Sequence, residues 1–197
     1  KIIIDISLKI KCNKFIYISS AGIYGNTSSN ENPIKENSKI MPQSDYAKMK
    51  IKCEKYLKSK LRDSEVKFTI LRPCLIYGRK IKGNLFLLKK IIDTRIPLPF
   101  KYSNNKRSFL SIDNFISVIK ECLNNPAADN ETFLVSDKEQ ISLFSLVSII
   151  SSARFKNNFF YLVPGFLLFI FKNTFFLKKY HDHLYSDLVI DSSYIRN

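Results

Sequence analysis

Tyr46 and Lys50 lie four residues apart in Tyr46-Ala-Lys-Met-Lys50, a spacing that puts a phenol and an ammonium on one face of a helix. An adjacent cation favours the phenolate, so the pair has the makings of a general base. Alone, Tyr-x-x-x-Lys is a weak signal in a Lys-rich chain and more often describes a solvated pair. Upstream, Ser19-Ser20-Ala21-Gly22-Ile23-Tyr24-Gly25 closes a β-branched and aromatic run. A hydroxyl at the carboxyl end of a strand is where open α/β sheets hold their ligands. Leu71-Arg72-Pro73-Cys74-Leu75-Ile76-Tyr77-Gly78 ends a second such run, and Arg107-Ser-Phe-Leu-Ser-Ile-Asp113-Asn114 offers a guanidinium fork suited to phosphate oxygens.

These residues need elements to hold them. Residues 1 to 12 place Ile3, Ile6 and Ile10 at helical spacing, and Lys14 to Ser20 reads as a buried strand. Asn26 to Pro42, rich in Asn, Ser and Pro, is a loop. Ser44-Asp45 marks a helix start, with Tyr46, Met49, Lys50, Cys53 and Leu57 along one stripe of the helix that runs to Lys60. Val66 to Arg72 is a second strand, stopped by Pro73, so strand, helix and strand make a βαβ unit. Further helices are expected from Asn84 to Asp93, Ile112 to Leu123 and Leu143 to Ala153, and a further strand over Glu131 to Asp137. The chain is α/β, with a parallel sheet that begins midway through the usual pattern.

At 197 residues, 45% hydrophobic and 13% aromatic, the chain has material for one well-cored domain or one and a half. Disorder and fibrous repeats are excluded. Its 32 Lys and Arg against 17 Asp and Glu give a net charge of +15. Most of these cations are Lys, scattered from Lys9 to Lys179, whereas nucleic-acid surfaces cluster their cations and favour Arg. Nucleic acid is therefore not an expected partner. Cys12, Cys53, Cys74 and Cys122 have no paired spacing, so they read as reduced core residues of a cytoplasmic protein. His181-Asp-His183 offers too few ligands on a Lys-flanked segment, and no metal is expected. The longest apolar run, Phe159 to Phe171, contains Pro164-Gly165 and falls short of the roughly 20 residues of a spanning helix. It reads as a packed hairpin, with a bilayer-surface segment flanked by Lys172, Lys178 and Lys179 as the alternative.

The blocks around Ser20, Tyr46, Arg72 and Arg107, in this order and spacing, resemble the extended short-chain dehydrogenase/reductases, specifically the bacterial NAD-dependent nucleotide-sugar epimerases and 4-ketoreductases. The likeness continues through Lys82-Gly-Asn84-Leu, Pro97-Leu-Pro99, Glu131-Thr-Phe-Leu-Val-Ser-Asp137, Leu162-Val-Pro164 and Val189-Ile-Asp191-Ser-Ser193. These later blocks are similar to the branch acting on UDP-linked N-acetylated or 4-keto sugars for surface polysaccharide. The resemblance implies the second half of a Rossmann-type parallel sheet over residues 1–78. Residues 79–197 would then be mainly a smaller mixed α/β substrate domain, with 107–140 returning to the sheet. It implies Tyr46 as the general acid or base at the sugar C4 oxygen, Lys50 supporting its phenolate and binding the nicotinamide ribose, and Ser20 hydrogen-bonding the same oxygen. Ser19, Pro73 and Cys74 join the site for NAD, with NADP possible, and Asn84 and Arg107 hold the diphosphate of a UDP-sugar. Hydride passes between sugar C4 and the nicotinamide while Tyr46 moves the proton. Epimerisation and 4-keto reduction both remain open, as does the sugar. A homodimer of the full-length protein is a further implication.

Two features depart from the family pattern. The Asp-Glu pair that 4,6-dehydratases carry after the active-site hydroxyl is here Ala21-Gly22, which disfavours dehydration. Gly22, Gly25, Gly78, Gly83 and Gly165 form no Gly-rich turn between strand and helix for a pyrophosphate. The chain is thus expected to be a fragment or truncated product lacking the first strands and the Gly-rich loop, with a bare edge on strand 14 to 20 and poor NAD binding on its own. Another enzymatic alternative is oxidation of a different secondary alcohol, such as a sterol. The non-enzymatic alternative is a degenerate reductase fold serving as a basic RNA-binding or scaffolding module. Retention of Ser20, Tyr46 and Lys50 together argues against that last reading.

Overall fold

Two β-rich runs separated by a helix leave their strands parallel, because the crossover brings the chain back to the same end of the sheet. Strand β1 (Lys14–Ile18) lies beside β2 (Lys67–Pro73), with Lys14 opposite Lys67 and Ile18 opposite Leu71, and helix α2 (Asp45–Leu61) joins them. This is the expected βαβ unit, seen in a computed structural model that describes residues 1–25, 28, 31–78, 84–94, 105–154 and 187–196. Strand β5 (Glu131–Val135) adds in parallel to the far side of β2, giving the order β1-β2-β5. The outer edge of β1 has no strand partner among the described residues.

Central β2 is buried from Phe68 to Pro73, as a parallel strand covered on both faces must be. On one face, Phe68 and Ile70 pack with Leu57 and Leu61 of α2 and with Ile4 of helix α1 (Ile2–Lys9). On the other, Leu71, Phe133 and Val135 pack with Phe115 and Cys122 of helix α4 (Ile112–Asn124), which Ser111 caps. Lys14 closes the opposite end of α4. Its Nζ donates to the carbonyls of Cys122 at 2.6 Å and Asn125 at 2.9 Å and pairs with Asp129 at 2.6 Å, a cation at the negative pole of the helix dipole.

The expected mixed α/β part has its own sheet, whose individual strands are too short to show a period in the sequence. Strand β3 (Leu75–Tyr77) follows β2 after Cys74 alone, runs parallel to β4 (Arg107–Ser111), and β4 pairs antiparallel with β6 (Gln140–Ile141). Gly78 ends β3 where a Cβ would run into the Ile112 side chain. Helices α3 (Asn84–Asp93) and α5 (Leu143–Arg154) cover this sheet through Leu85, Ile92, Phe109, Leu146 and Val147. Residues 187–191 strap the two halves together: Ile34 N donates to Val189 O and Ser108 N to Leu188 O, both at 2.9 Å.

The stripe expected on α2 needs correction. Met49 is 61% exposed, and the buried face runs through Ala47, Glu54, Leu57 and Leu61. Apolarity alone favoured Met49; a charged residue takes the inner position because it meets a buried partner there. Cys122 is buried, but Cys12, Cys53 and Cys74 are only partly so, and all four are free. The expected segments at Pro97-Leu-Pro99, Phe159 to Phe171 and His181-Asp-His183 lie outside the described residues. Among the described residues no helix is long and apolar enough to cross a membrane, and no His, Cys, Asp or Glu cluster could hold a metal.

Leu57 is fully buried between α1, α2 and β2. Leu57→Ala is expected to lower the unfolding free energy by about 3 kcal/mol in urea denaturation. A loss under about 1 kcal/mol would remove this cluster from the core.

Candidate functional site

Strands β1 and β2 finish side by side, and the candidate residues follow their last ladder positions. Ser19 N still donates to Leu71 O at 2.7 Å, but the Ser19 side chain, in a residue only 2% exposed, has a buried Oγ without a hydrogen-bond partner. An unsatisfied buried hydroxyl costs about 1–3 kcal/mol, which a bound group could recover. Ser20, in extended conformation, caps the 3-10 turn Ala21–Tyr24: its Oγ accepts from Gly22 N at 3.1 Å and keeps its own O–H free to donate.

Helix α2 starts at an N-cap, Ser44, whose Oγ accepts from Ala47 N at 3.1 Å. Tyr46 therefore sits in the first turn and is 56% exposed. One turn later, Lys50 Nζ donates to Ile18 O at 2.7 Å and lies 5.5 Å from the Tyr46 ring centre and 5.2 Å from that of Tyr17. The ammonium is held at the end of β1 by one carbonyl and two aromatic rings. Ala47 packs in one cluster with Ala21 and Ile23, with Ile51 against it, so the Ser20 turn and the Tyr46 helix share a contact surface. Burial, then Cys53 and Glu54, push the Tyr17 phenol up, keeping it neutral beside Lys50.

Behind these residues lies a polar network that the sequence reading missed. Arg72, on β2, donates from Nε to Glu54 Oε1 at 3.0 Å and from Nη2 to Glu54 Oε2 at 2.6 Å, with both side chains almost wholly buried. Its Nη1 donates to the Tyr24 hydroxyl. Tyr24 in turn donates to Glu36 O at 2.8 Å, and Glu36 Oε1 accepts from Leu134 N of β5 at 2.9 Å. Burial pushes the Tyr24 phenol up although Arg72 opposes this, so it stays protonated for that donation. The available signal was spacing: Glu54 follows Lys50, and Tyr24 follows Ser20, by four residues.

Pro73 is buried and Cys74 half-buried where β2 ends. Arg107 stands apart on β4, where burial draws the guanidinium down and Asp187 opposes the shift. Asp187 is fixed there by Lys106 N, which donates to its Oδ1 at 2.7 Å. Asn84 opens α3, and its side chain lies outside the described residues. A cavity of about 600 Å³ is lined by Tyr77, Phe109, Asn114, Asp137 and Leu146, with none of Ser20, Tyr46 or Lys50 on its wall. Its carboxylate is spoken for: Asp137 accepts from Tyr77 OH, Ser111 N and Asn114 Nδ2 at 3.0, 2.9 and 2.7 Å.

The model of the NAD dependent epimerase/dehydratase family matches residues 2–136. A UDP-glucose 4-epimerase of Vibrio cholerae is 33% identical over 184 residues, covering 93% of this chain and 56% of that protein. An N-acetyl-alpha-D-glucosaminyl-diphospho-ditrans,octacis-undecaprenol 4-epimerase of Escherichia coli O157:H7 is 31% identical over 136 residues, covering 68% and 40%. Among solved structures, a UDP-glucuronic acid 4-epimerase from Bacillus cereus in complex with NAD superposes with a TM-score of 0.75 at 20% identity, over 98% of this chain and 56% of that one. A UDP-glucose 4-epimerase with UDP-glucose from Thermotoga maritima gives 0.72 at 18%, over 99% and 60%. At such identities the structural likeness shows the fold. The chain spans about half the length of the curated relatives it matches.

Burial, with Asp137 nearby, holds the Cys74 thiol well above the ordinary thiol range, so its thiolate forms only at strongly alkaline pH. Iodoacetamide mapped by mass spectrometry at pH 8 is expected to leave Cys74 unmodified in the folded chain and to label it after urea unfolding. Rapid labelling in the folded state would contradict that environment.

Proposed function

The chain belongs to the NAD-dependent epimerase/dehydratase family, and on that basis we propose that it acts at C4 of a UDP-sugar as a 4-epimerase serving surface-polysaccharide synthesis. The observation that carries this reading is Lys50, tied to Ile18 O against the Tyr46 ring while the Ser20 turn packs on the same helix.

The residues present fit the nicotinamide-ribose end of NAD. The buried Ser19 hydroxyl lacks a partner among the described residues, and Lys50 is a donor at the same strand end. Ser19, Tyr46, Lys50, Pro73 and Cys74 would hold it, and bound NAD supplies the acceptor and donor of hydride. Tyr46 takes the proton of the sugar C4 hydroxyl and later returns it to the 4-keto oxygen. Lys50 holds its positive charge 5.5 Å from the Tyr46 ring centre. Ser20 donates to the same oxygen, steadying it as its charge changes. Arg107, with Asn84, holds the diphosphate, where a guanidinium pairs two oxygens at once. A homodimer belongs to the same reading: α1 leaves Ile2, Ile3 and Ile6 exposed, and α2 leaves Met49 exposed.

Because this chain spans about half the length of its curated relatives, the test uses it within a protein of their full length, incubated with NAD and UDP-glucose or UDP-N-acetylglucosamine while the sugars and the nicotinamide absorbance are followed together. The expected product is the C4 epimer with no net cofactor change; stoichiometric NADPH loss with a UDP-4-keto sugar would make it a reductase instead. Tyr46→Phe should lower turnover by about 10²–10⁴-fold. Arg107→Leu should raise KM for the UDP-sugar about tenfold at unchanged kcat, as loss of uniform binding does. Absence of any C4 chemistry in that full-length protein would reject the reading for these residues.

A further inference from the structure

Ser20 and Tyr46 must face one oxygen, yet they sit on different elements, a short turn after β1 and the start of α2. What joins those elements directly is apolar: Ala21 and Ile23 of the turn, Ala47 and Ile51 of the helix. Burial of apolar surface is non-directional, so this small contact constrains the rotation of the helix less sharply than a hydrogen bond of fixed geometry does. Lys50 gives one directional link, from the helix to Ile18 O at the end of β1; the one that reaches the turn itself is Arg72. One edge of its guanidinium is bidentate to Glu54, two helical turns beyond Tyr46 and one beyond Lys50; its Nη1 reaches the Tyr24 hydroxyl, four residues beyond Ser20. Glu36 completes the frame. Its carbonyl accepts from both Tyr24, at 2.8 Å, and Arg72, at 3.5 Å, and its carboxylate is anchored to β5 through Leu134 N.

We infer that Arg72, with Glu54 and Tyr24, is a positioning device that sets the distance between the Ser20 hydroxyl and the Tyr46–Lys50 pair. This rests on the proposed C4 chemistry for its catalytic consequence, although not for its structural one. None of the three need touch substrate or cofactor. A bidentate arginine–carboxylate pair holds two elements at fixed distance and in fixed plane, and the Tyr24 bond ties the Ser20 turn to that same plane. A 1 Å misplacement in such a constellation is enough to cost about 10²-fold in rate.

The test separates positioning from stability. A buried ion pair replaced on both sides by apolar residues of similar volume keeps or gains stability, so Glu54→Leu with Arg72→Met is expected to melt no lower than the unmodified chain. In that variant the Gly22 and Ile23 amides of the turn should exchange with deuterium about tenfold faster while the α2 amides keep their protection. Its kcat for C4 chemistry should fall about 30-fold with KM for the UDP-sugar within about twofold. Tyr24→Phe, which cuts only the arm to the turn, should reproduce the faster exchange and a smaller loss of kcat. Arg72→Lys, which keeps the charge without the fork, should not restore kcat. Unchanged Gly22 and Ile23 exchange in either stable variant, or an unchanged kcat alongside altered exchange, would overturn the inference. If the double variant does not fold, Tyr24→Phe alone decides it. If the full-length protein carrying the unmodified chain has no C4 activity, the proposed function fails while the exchange readout still judges the device.

Discussion

A charged side chain from each of two elements meets in the interior of this protein, and the architecture is arranged so that the meeting is complete. Removing Arg72 and Glu54 from water costs several kcal/mol per ion before their attraction is counted. The cost is offset only with good geometry and with the remaining donors satisfied. Both conditions hold: the pair is bidentate, and the remaining Nη1 faces the Tyr24 hydroxyl and the Glu36 carbonyl. Such a pair adds little net stability compared with an apolar core. Its contribution is to single out one arrangement of β2, α2 and the turn after β1 among the many that an apolar interface would tolerate.

That arrangement also explains why the candidate residues gather where they do. In parallel β-sheets the carboxyl ends of neighbouring strands lie at one edge, so Ser19 and Ser20 after β1 and Pro73 and Cys74 after β2 become neighbours without being near in sequence. The helix between the strands returns across the sheet, and its first turn brings Tyr46 close to the same edge. Lys50 then ties the helix to Ile18 O, the last carbonyl of β1. The βαβ connection supplies the coarse placement and the hydrogen bonds supply the fine one.

The parts legible in the sequence were those with a strong local signal. Alternating or continuous β-branched runs marked β1, β2 and β5, Ser44 marked the start of α2, and the Tyr46–Lys50 spacing fixed a shared helix face before any fold was known. Glu54 was not legible because burial of a carboxylate depends on Arg72, 18 residues away on another element, and no local pattern reports that partnership. Strands β3, β4 and β6 were missed for a related reason: at two to five residues they carry too little periodicity, and pairing rather than propensity makes them strands. The strap at 187–191 reads as an unremarkable polar-apolar mix until Ile34 and Ser108 are seen to supply its hydrogen bonds.

The same contrast bears on the positive charge. Scattered lysines suggested a compositional bias rather than a binding surface, and the described structure gives individual cations structural work: Lys14 closes the end of α4, Lys50 spans β1 and α2, Arg72 joins three elements. Arg107 differs from these. Its guanidinium lies on β4, where burial draws it down and Asp187 opposes the shift.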